Sequence, residues 1–310
     1  MTAARPSRRQ FLAALGAAGA GLAADALLVE PNRLTVSRHA LGPAGSAGGP
    51  TLRMVQLADL HLQRVGRHER RIAREVRDLA PSLILLTGDA IDRTDRLGTL
   101  DEFLSLLDAA TPKYAVLGNW EYFSRVGRPA LQRVYERHGC RLLVNESVVH
   151  RHQGAEVLVT GLDDLLAGEP SVAASLRGHA AAAHHVILAH CPLQRDYLRG
   201  QLPARPWTAT PPPPEAGGAE LAAHVPRLVL SGHTHGGQVN LLGYCPWRPW
   251  GSGPYVSGWY ADRAPHLYVS RGLGTADLPV RFGATPELPC FDWRLAGPAS
   301  PPEPRSARAA

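Results

Sequence analysis

The sequence is poor in cysteine, has no dense cluster of basic residues and, after residue 30, has no long apolar run. Its four cysteines contain no Cys-x-x-Cys pair and are too few for a disulfide scaffold. We therefore expect unpaired core thiols, with one or two bridges after export as the alternative. Because the basic residues are scattered, the sequence gives no support for a nucleic-acid partner. Only the N-terminal segment is a candidate for a membrane span.

The remaining composition is that of a globular protein. The chain has 310 residues, of which 45% are hydrophobic and 19% are charged. This length suits one large α/β domain or two small ones. The formal net charge of +6 is mildly basic, which suits an anionic substrate or an anionic membrane surface.

The first 30 residues have the features of an export signal. Arg8 and Arg9 form a pair just before an apolar, Gly/Ala-rich run over 13–29. A basic segment before such a run indicates a secretory signal, and the arginine pair indicates the twin-arginine translocase as an export partner. Ala24-Asp25-Ala26 is a candidate cleavage site, and an uncleaved membrane anchor is the alternative. We expect the protein in the periplasm or at the extracytoplasmic face of the cytoplasmic membrane.

Three further segments follow from composition. Residues 31–50 end in a Gly/Pro/Ala/Ser-rich run and are predicted to be a linker. A folded domain is predicted over 51–296, and the low-complexity segment 297–310 is predicted to be a disordered tail. Within the domain, loops are predicted at 203–218, which contains four consecutive prolines, and at 244–260.

Short apolar runs alternate with amphipathic helical stretches along the domain. Strands are predicted at 52–58, 83–87, 114–117, 186–189 and 228–230. Helices are predicted at 68–79, 97–109 and 130–138, and a hairpin at 144–149 and 156–160. This alternation predicts an α/β fold with a largely parallel central sheet.

Each of the five predicted strands runs into a residue type that binds metal. These residues are Asp59 and His61, Asp89, Asn119, His190, and His233 and His235. In open α/β sheets, ligands bind just beyond the carboxyl ends of the strands, so the seven side chains are expected to meet in one crevice. A single Asp or His of this kind is more often a turn former or a solvated residue. The combined series predicts a metal site.

The series Asp59-x-His61, Gly88-Asp89, Gly118-Asn119, Ala189-His190 and Gly232-His233-Thr234-His235 resembles the calcineurin-like metallophosphoesterase superfamily. The resemblance covers residues from about 30 to 295. The stretches 232–238 and 271–275 resemble a bacterial branch that is often exported by the twin-arginine route. Some members of that branch are UDP-diacylglucosamine pyrophosphatases or related phosphodiesterases. The resemblance implies a four-layer αββα sandwich.

The resemblance also implies a ligand set for two divalent metal ions of the Mn, Fe, Zn or Co class. The first ion is expected at Asp59, His61, Asp89 and His235. The second is expected at Asp89, Asn119, His190 and His233, with Asp89 shared. Asp89, Asn119 and His190 are the expected catalytic group. The implied reaction is attack on phosphorus by a hydroxide that bridges the two metals.

One position departs from the family pattern. The family has a His after the Gly-Asn pair, where it contacts the phosphate or protonates the leaving group, but this chain has Trp120. Indole cannot transfer a proton at neutral pH, which favours a diphosphate or an activated diester over an alkyl phosphate. The alternative is that Trp120 packs the wall of the site while Glu121 or His266 supplies the proton. Trp120, Glu121 and Arg271 are candidate substrate contacts, and Arg281 is a further candidate for a phosphate.

The aromatic residues between 244 and 260 follow the His233/His235 loop directly. Either they pack over the core, or they border the site and suit a lipid-linked substrate at a membrane surface. The favoured function is a dinuclear metal-dependent hydrolase of a phosphodiester or pyrophosphate, such as a lipid-linked nucleotide. A broad phosphomonoesterase and an exported binding protein with a silent metal site are the alternatives. A metallo-β-lactamase site is excluded, because the chain lacks the second half of its His-x-His-x-Asp-His cluster.

Overall fold

The computed structural model describes residues 7–42, 49–200, 224 and 226–295, which form two six-stranded sheets with helices on their outer faces. The predicted loop at 203–218 and the predicted tail at 297–310 lie outside the described residues.

The first sheet contains the strands that carry half of the candidate site. Its members are Thr35–Leu41 (β1), Thr51–Leu57 (β2), Leu83–Thr87 (β3), Lys113–Val116 (β4), Cys140–Leu142 (β5) and Glu287–Arg294 (β12). Their order is β1-β12-β2-β3-β4-β5. The strands from β2 to β5 are parallel, whereas β12 runs antiparallel to β2 and parallel to β1.

The second sheet carries the other half. Its members are Glu146–His152 (β6), Ala155–Gly161 (β7), His185–Leu188 (β8), Leu228–Ser231 (β9), Gly258–Tyr260 (β10) and His266–Val269 (β11). Their order is β10-β11-β9-β8-β7-β6, with β11, β9, β8 and β7 parallel and an antiparallel strand at each edge. The predicted hairpin is confirmed as β6 and β7.

Alternation along the inner strands creates the layers. Val55 and Leu57 of β2 pack with the helices, whereas Leu52 and Met54 pack with strands of the second sheet. Because both faces of β2 are covered, apolar residues point to both faces, as in a strand buried on both sides. The helices are Arg8–Ala24 (α1), Arg67–Leu79 (α2), Leu97–Ser105 (α3), Asn119–Phe123 (α4), Arg128–Arg137 (α5), Val172–Leu176 (α6) and Gln194–Leu198 (α7).

Helices cover the outer face of each sheet. Residues of α2, α3 and α5 share a core cluster with the first sheet, and residues of α6 and α7 share one with the second. A third cluster fills the space between the sheets. The predicted four-layer αββα sandwich is therefore confirmed, and all five predicted strands are present with ends shifted by at most one residue.

Three predictions from composition and helical pattern need correction. Residues 35–41, inside the predicted linker, form β1, because this segment pairs along its length with β12. The helix predicted to reach residue 109 ends at Ser105, and Asp108 then accepts the Ala110 N–H in a turn. The helix predicted at 130–138 starts two residues earlier, with Pro129 in its first turn, where proline lacks only an N–H that has no helical partner.

The N-terminal helix stands apart from the core. Helical structure runs from Arg8 to Asn32 and is apolar and long enough to cross a membrane. None of its most apolar stretch is buried. By length and composition it fits a signal segment or a membrane anchor. Its end is attached to the domain: the Glu30 carboxylate accepts the N–H groups of Gly283 and Ala284, and the Arg281 N–H donates to the Ala26 carbonyl.

Candidate metal centre

The seven candidate ligands lie just beyond the carboxyl ends of strands in both sheets. Asp59 and His61 follow β2, Asp89 follows β3, Asn119 follows β4, His190 follows β8, and His233 and His235 follow β9. All seven are buried, with at most 5% of each residue exposed. The structure therefore brings every predicted ligand into one cluster.

Six of these residues form two groups of potential ligand atoms. Asp59, His61 and His235 make one group, and Asp89, His190 and His233 make the other, with the atoms of each group within 4.8 Å of one another. In the first group, His61 Nε2 lies 3.1 Å from His235 Nε2. In the second, His190 Nε2 lies 3.2 Å from Asp89 Oδ2 and 3.1 Å from His233 Nδ1. Asn119 joins the second group, since its Oδ1 lies 3.2 Å from His190 Nε2.

The two carboxylates are held in the same way. Asp59 Oδ1 accepts the His233 N–H, and Asp89 Oδ1 accepts the Trp120 N–H. The second oxygen of each faces the cluster, and Asp59 Oδ2 is buried without any hydrogen-bond partner. A buried carboxylate oxygen without a partner is costly, and a cation removes that cost. The donor set of carboxylate, amide and imidazole therefore fits divalent metals of the Mn, Fe, Zn or Co class.

Five of the seven candidate ligands have backbone in the left-handed region. The φ angles lie between 43° and 72° for Asp59, His61, Asp89, His233 and His235. Such conformations are uncommon for residues other than glycine and concentrate at functional sites, where the surroundings hold them. The ligand-bearing turns are therefore among the places where this chain has strained backbone.

The glycines before Asn119 and His233 have a different purpose from the one that the sequence suggests. A glycine directly before a ligand suggests a tight turn, but neither of these two has a positive φ. Instead, a Cβ atom at Gly118 would lie 2.2 Å from Asp89 Oδ1, and one at Gly232 would lie 2.4 Å from Asp59 Oδ2. Both positions are restricted to glycine by the close approach of a candidate ligand from the neighbouring loop.

The imidazoles are oriented by contacts on their outer sides. His61 Nδ1 lies 3.1 Å from the Asp92 carboxylate, and Gln63 in turn donates to Asp92. His190 Nδ1 lies 2.9 Å from the Thr87 carbonyl, and His233 Nε2 lies 2.5 Å from the Trp250 carbonyl. Such contacts fix the ring orientation and tautomer of a metal-binding His. The sequence does not single out Asp92, because an Asp three positions after Asp89 has no pattern that separates it from a turn residue.

Burial and neighbouring charges set the protonation of the cluster. Burial raises the pKa of Asp59 to about 6. Burial alone would also raise the pKa of Asp89, but the nearby His190 imidazole lowers it overall. Burial, and then the charge of His190, lowers the pKa of His233 to about 4. A neutral imidazole and an ionised carboxylate are the forms that bind metal.

Glu121, one of the predicted substrate contacts, binds backbone groups at the carboxyl ends of two strands. Its buried carboxylate accepts N–H groups from Asp89, Ala90 and Gly118 at 2.7–3.1 Å, which ties the loop after β3 to the end of β4. Burial and the charge of Asp89 raise the pKa of Glu121 to about 7. Glu121 does not line the cavity described below, so it is badly placed to protonate a leaving group.

The other predicted polar candidates are also absent from the lining of the cavity. Arg271 is partly buried beside Glu287, with 3.4 Å between its Nε and a carboxylate oxygen. Arg281 is fully buried, donates to the carbonyls of Ala284 and Arg271, and has a nitrogen 3.3 Å from His235 Nδ1. Burial lowers the pKa of Arg281 to about 10. His266 is exposed at the amino end of β11, at the opposite edge of the sheet from the ligand loops.

A cavity of about 990 Å³ opens above the cluster. Asp89, Asn119, His233 and His235 form its floor, so both groups of candidate ligands border it. The walls are largely apolar and include Trp120, Phe123, Leu166, Trp247, Trp250 and Leu278. Trp120 also lies edge-on to His61, with 6.1 Å between the ring centroids.

Some of the aromatic residues between 244 and 260 border the cavity, and the others pack against the core. Trp247 and Trp250 are exposed and border the cavity. Tyr255 is buried in the core cluster of the second sheet, and Tyr260 packs against the same cluster. Trp259 packs against Tyr268 and Phe291 at the edge of the sheets.

The comparisons with known proteins agree with this geometry. A family model described as calcineurin-like phosphoesterase matches residues 52–237, more than half of the chain. A Bacillus subtilis protein named as an uncharacterized metallophosphoesterase, YkuE, is 29% identical over 92% of this chain and 96% of its own length. The phosphodiesterase YaeI of Escherichia coli is 28% identical over 91% of this chain and 97% of its own length. The UDP-2,3-diacylglucosamine pyrophosphatase LpxG of Chlamydia muridarum is 24% identical over 84% of this chain and 89% of its own length.

Proposed function

Because the chain belongs to the calcineurin-like phosphoesterase family and is a hydrolase of phosphoesters, we propose that it hydrolyses a phosphodiester or pyrophosphate with two divalent metal ions. The observation that carries this proposal is the position of Asp89. Its Oδ2 lies 3.2 Å from His190 Nε2 and 3.7 Å from His61 Nε2, one imidazole from each ligand group. A carboxylate between two such groups is suited to a shared ligand.

The proposed ligands of the first ion are Asp59, His61, Asp89 and His235, and those of the second are Asp89, Asn119, His190 and His233. When bound, two such ions supply an activated water nucleophile and neutralise the charge that develops on the phosphate oxygens. The chain provides only two carboxylates to this pair of ions, so the floor of the cavity stays electropositive and attracts a phosphate group. The apolar walls exclude water and strengthen that attraction.

The choice of leaving group is inferred from the scarcity of proton donors among the described residues of the cavity wall. Among the described residues that line the cavity, Asp277 is the only titratable side chain outside the proposed ligand set, and it is exposed. Trp120 occupies the wall directly after Asn119 and cannot donate a proton to a departing alkoxide. A nucleoside monophosphate or an aryl oxide leaves without such help. This supports a diphosphate or an activated diester as the substrate, and the similarity to LpxG makes a lipid-linked nucleotide a specific candidate.

A substrate panel tests the proposal. The full chain, purified with its native metal and assayed for metal content, is offered p-nitrophenyl phosphate, bis(p-nitrophenyl) phosphate and a lipid-linked nucleoside diphosphate. We expect the diester and the diphosphate to have the higher kcat/KM. Faster hydrolysis of the monoester would instead favour a broad phosphomonoesterase. Intact hydrolysis by Asp89→Asn with both metals still bound would contradict the shared-ligand role.

We also propose export by the twin-arginine route to the extracytoplasmic face of the cytoplasmic membrane. Arg8 and Arg9 form the first turn of α1, and the apolar helical residues that follow are exposed. Replacing both arginines by lysine keeps the charge but removes the pair that the translocase recognises. We expect Arg8→Lys/Arg9→Lys to accumulate inside the cell, as measured by fractionation. Unchanged export of this variant would exclude the route.

A further inference from the structure

Large apolar side chains are exposed around the mouth of the cavity. We call this set the rim; it consists of Leu241, Leu242, Tyr244, Trp247, Trp250 and Leu278, with exposed fractions from 49% to 108%. Trp247, Trp250 and Leu278 line the cavity itself, and the other three extend the patch outwards on a turn. A group of large apolar residues exposed together at the mouth of a site indicates a binding surface, whereas single exposed ones do not.

The rim is connected to the apolar N-terminal helix through one short segment. Phe282 exchanges backbone hydrogen bonds with the start of the rim loop, donating to the Gln238 carbonyl and accepting the Asn240 N–H. The neighbouring Arg281 N–H donates to the Ala26 carbonyl, and the Glu30 carboxylate accepts N–H groups from residues 283 and 284. The end of the helix and the rim are therefore attached to the same few residues.

The two surfaces have matching chemistry. The most apolar stretch of helical residues 8–32 has a mean hydropathy of 1.8, and none of this stretch is buried. Tyrosine and tryptophan, which supply half of the rim, are the side chains enriched where proteins meet lipid headgroups. Arg248 is exposed between Trp247 and Trp250 and can contact anionic headgroups. A lipid bilayer can cover both adjoining surfaces at once.

We infer that the mouth of the cavity lies against a lipid bilayer, with the rim inserted at the level of the headgroups. The N-terminal helix holds the domain at the membrane, and its attachment to residues 281–284 turns the cavity towards the lipid. A phosphoester with acyl chains then reaches the metal centre without leaving the bilayer. This last consequence rests on the proposed function, whereas the membrane contact itself does not.

Fluorescence quenching tests the contact without any need for activity. The full chain carrying Leu242→Trp is reconstituted into vesicles of phosphatidylethanolamine and phosphatidylglycerol, with or without bromine on the acyl chains. We expect brominated lipid to remove a larger share of the tryptophan emission than it does in the parent chain. Val149→Trp is the matched control, because Val149 is an exposed apolar residue on β6, the edge strand furthest from β10 in the second sheet.

Equal quenching of the Leu242→Trp and Val149→Trp variants would overturn the inference. So would a Leu242→Trp emission that soluble acrylamide cannot quench before lipid is added, because a second copy or another part of the chain would then cover the rim. Vesicle assays separate delivery from chemistry: Leu241→Ser/Leu242→Ser is expected to raise KM for a lipid-linked diphosphate while leaving kcat/KM for bis(p-nitrophenyl) phosphate unchanged. A parent chain that hydrolyses neither substrate would contradict the proposed function alone, and the quenching result would still decide the membrane contact.

Discussion

The loops after the first sheet supply Asp59, Asp89 and Asn119, whereas the loops after the second sheet supply only imidazoles, from His190, His233 and His235. Neither sheet completes a ligand group alone. The group of Asp59 and His61 is closed by His235, and the group of His190 and His233 is closed by Asp89. The candidate centre is therefore a product of sheet docking: the first sheet supplies all the oxygen ligands and the imidazole of His61, and the second supplies the other three imidazoles.

The two sheets also orient their imidazoles by different means. His61, the imidazole from the first sheet, is held by the Asp92 carboxylate. His190 and His233, from the second sheet, contact backbone carbonyls instead. A carboxylate can be altered by mutation without moving the backbone, whereas a carbonyl cannot. The contact between Asp92 and His61 can therefore be tested directly by mutation.

The largest expected effect comes from changing Asp89, the carboxylate proposed to be shared by both ions. Asp89→Asn keeps the size of the side chain but removes its charge, so both proposed ions lose a ligand. We expect kcat/KM for bis(p-nitrophenyl) phosphate to fall by at least about 10²-fold, comparable to the loss of one preorganised electrostatic contact in an active site. Asp78→Asn on the exposed side of α2 is the control and should change little. Equal losses of kcat/KM in the Asp89→Asn and Asp78→Asn variants would contradict the proposed role of Asp89.

Metal removal tests whether the ions join the two layers. At a free metal concentration one hundred times the dissociation constant, binding stabilises the folded state by about 2.7 kcal/mol. For a domain of this size that corresponds to a fall in Tm of roughly 5–10 °C on chelation. Differential scanning calorimetry before and after EDTA treatment measures it, and added metal should restore the original Tm. An unchanged Tm in a chain shown to be free of metal would contradict a joining role.

Asp92→Asn probes the outer contact of the first sheet. A neutral amide accepts the hydrogen bond from His61 Nδ1 less strongly than the carboxylate does. The imidazole is then less well oriented and less basic. We expect a loss of about 10–100-fold in metal affinity, measured by titration of the metal-free protein. Asp95→Asn is a close control, since Asp95 makes an exposed ion pair with Arg93. Similar affinities for both variants would remove the proposed role of Asp92.

The smallest expected effect is at the cavity wall. Trp120→His restores the residue usual in the family, but an activated substrate has little need of an acid. We expect less than about a tenfold gain with bis(p-nitrophenyl) phosphate, whereas general acid catalysis can contribute about 10²–10⁴-fold where it is needed. Trp259→His, away from the cavity, is the control. A gain of about 10²-fold with the activated substrate would contradict the assignment of the leaving group.

The apolar runs predict the strands, and the distinctive residue types at their ends predict the seven candidate ligands, whereas the four layers are implied only by the resemblance to the family. Asp59, Asp89 and His190 are recognisable from sequence, since each directly or closely follows such a run. Residues defined by distant contacts are not. Asp92 acts through a side chain 31 positions away, and Glu121 through backbone N–H groups of another loop. Neither contact leaves a periodic pattern.

The wrong expectations for β1 and for Arg281 also arise from contacts that are distant in the sequence. The sequence predicts a linker where β1 lies, because the residues of β1 are only partly buried and its place in the sheet depends on pairing with β12, some 250 residues later. Arg281 is a candidate for a phosphate contact by residue type, but its guanidinium is completely buried among carbonyls of the loop between β11 and β12 and beside His235. Local pattern identifies what a residue is able to do, and long-range packing decides whether it is placed to do it.

The attachment of the N-terminal helix bears on the order of maturation steps. Proteases cut accessible chain that can become extended. The candidate cleavage sequence Ala24-Asp25-Ala26 is helical, and the Ala26 carbonyl is engaged by the Arg281 N–H. On the proposed twin-arginine route a chain crosses the membrane already folded, so a signal peptidase would meet this segment after it has docked. We therefore expect the mature protein to keep its first 26 residues, which its intact mass would show directly.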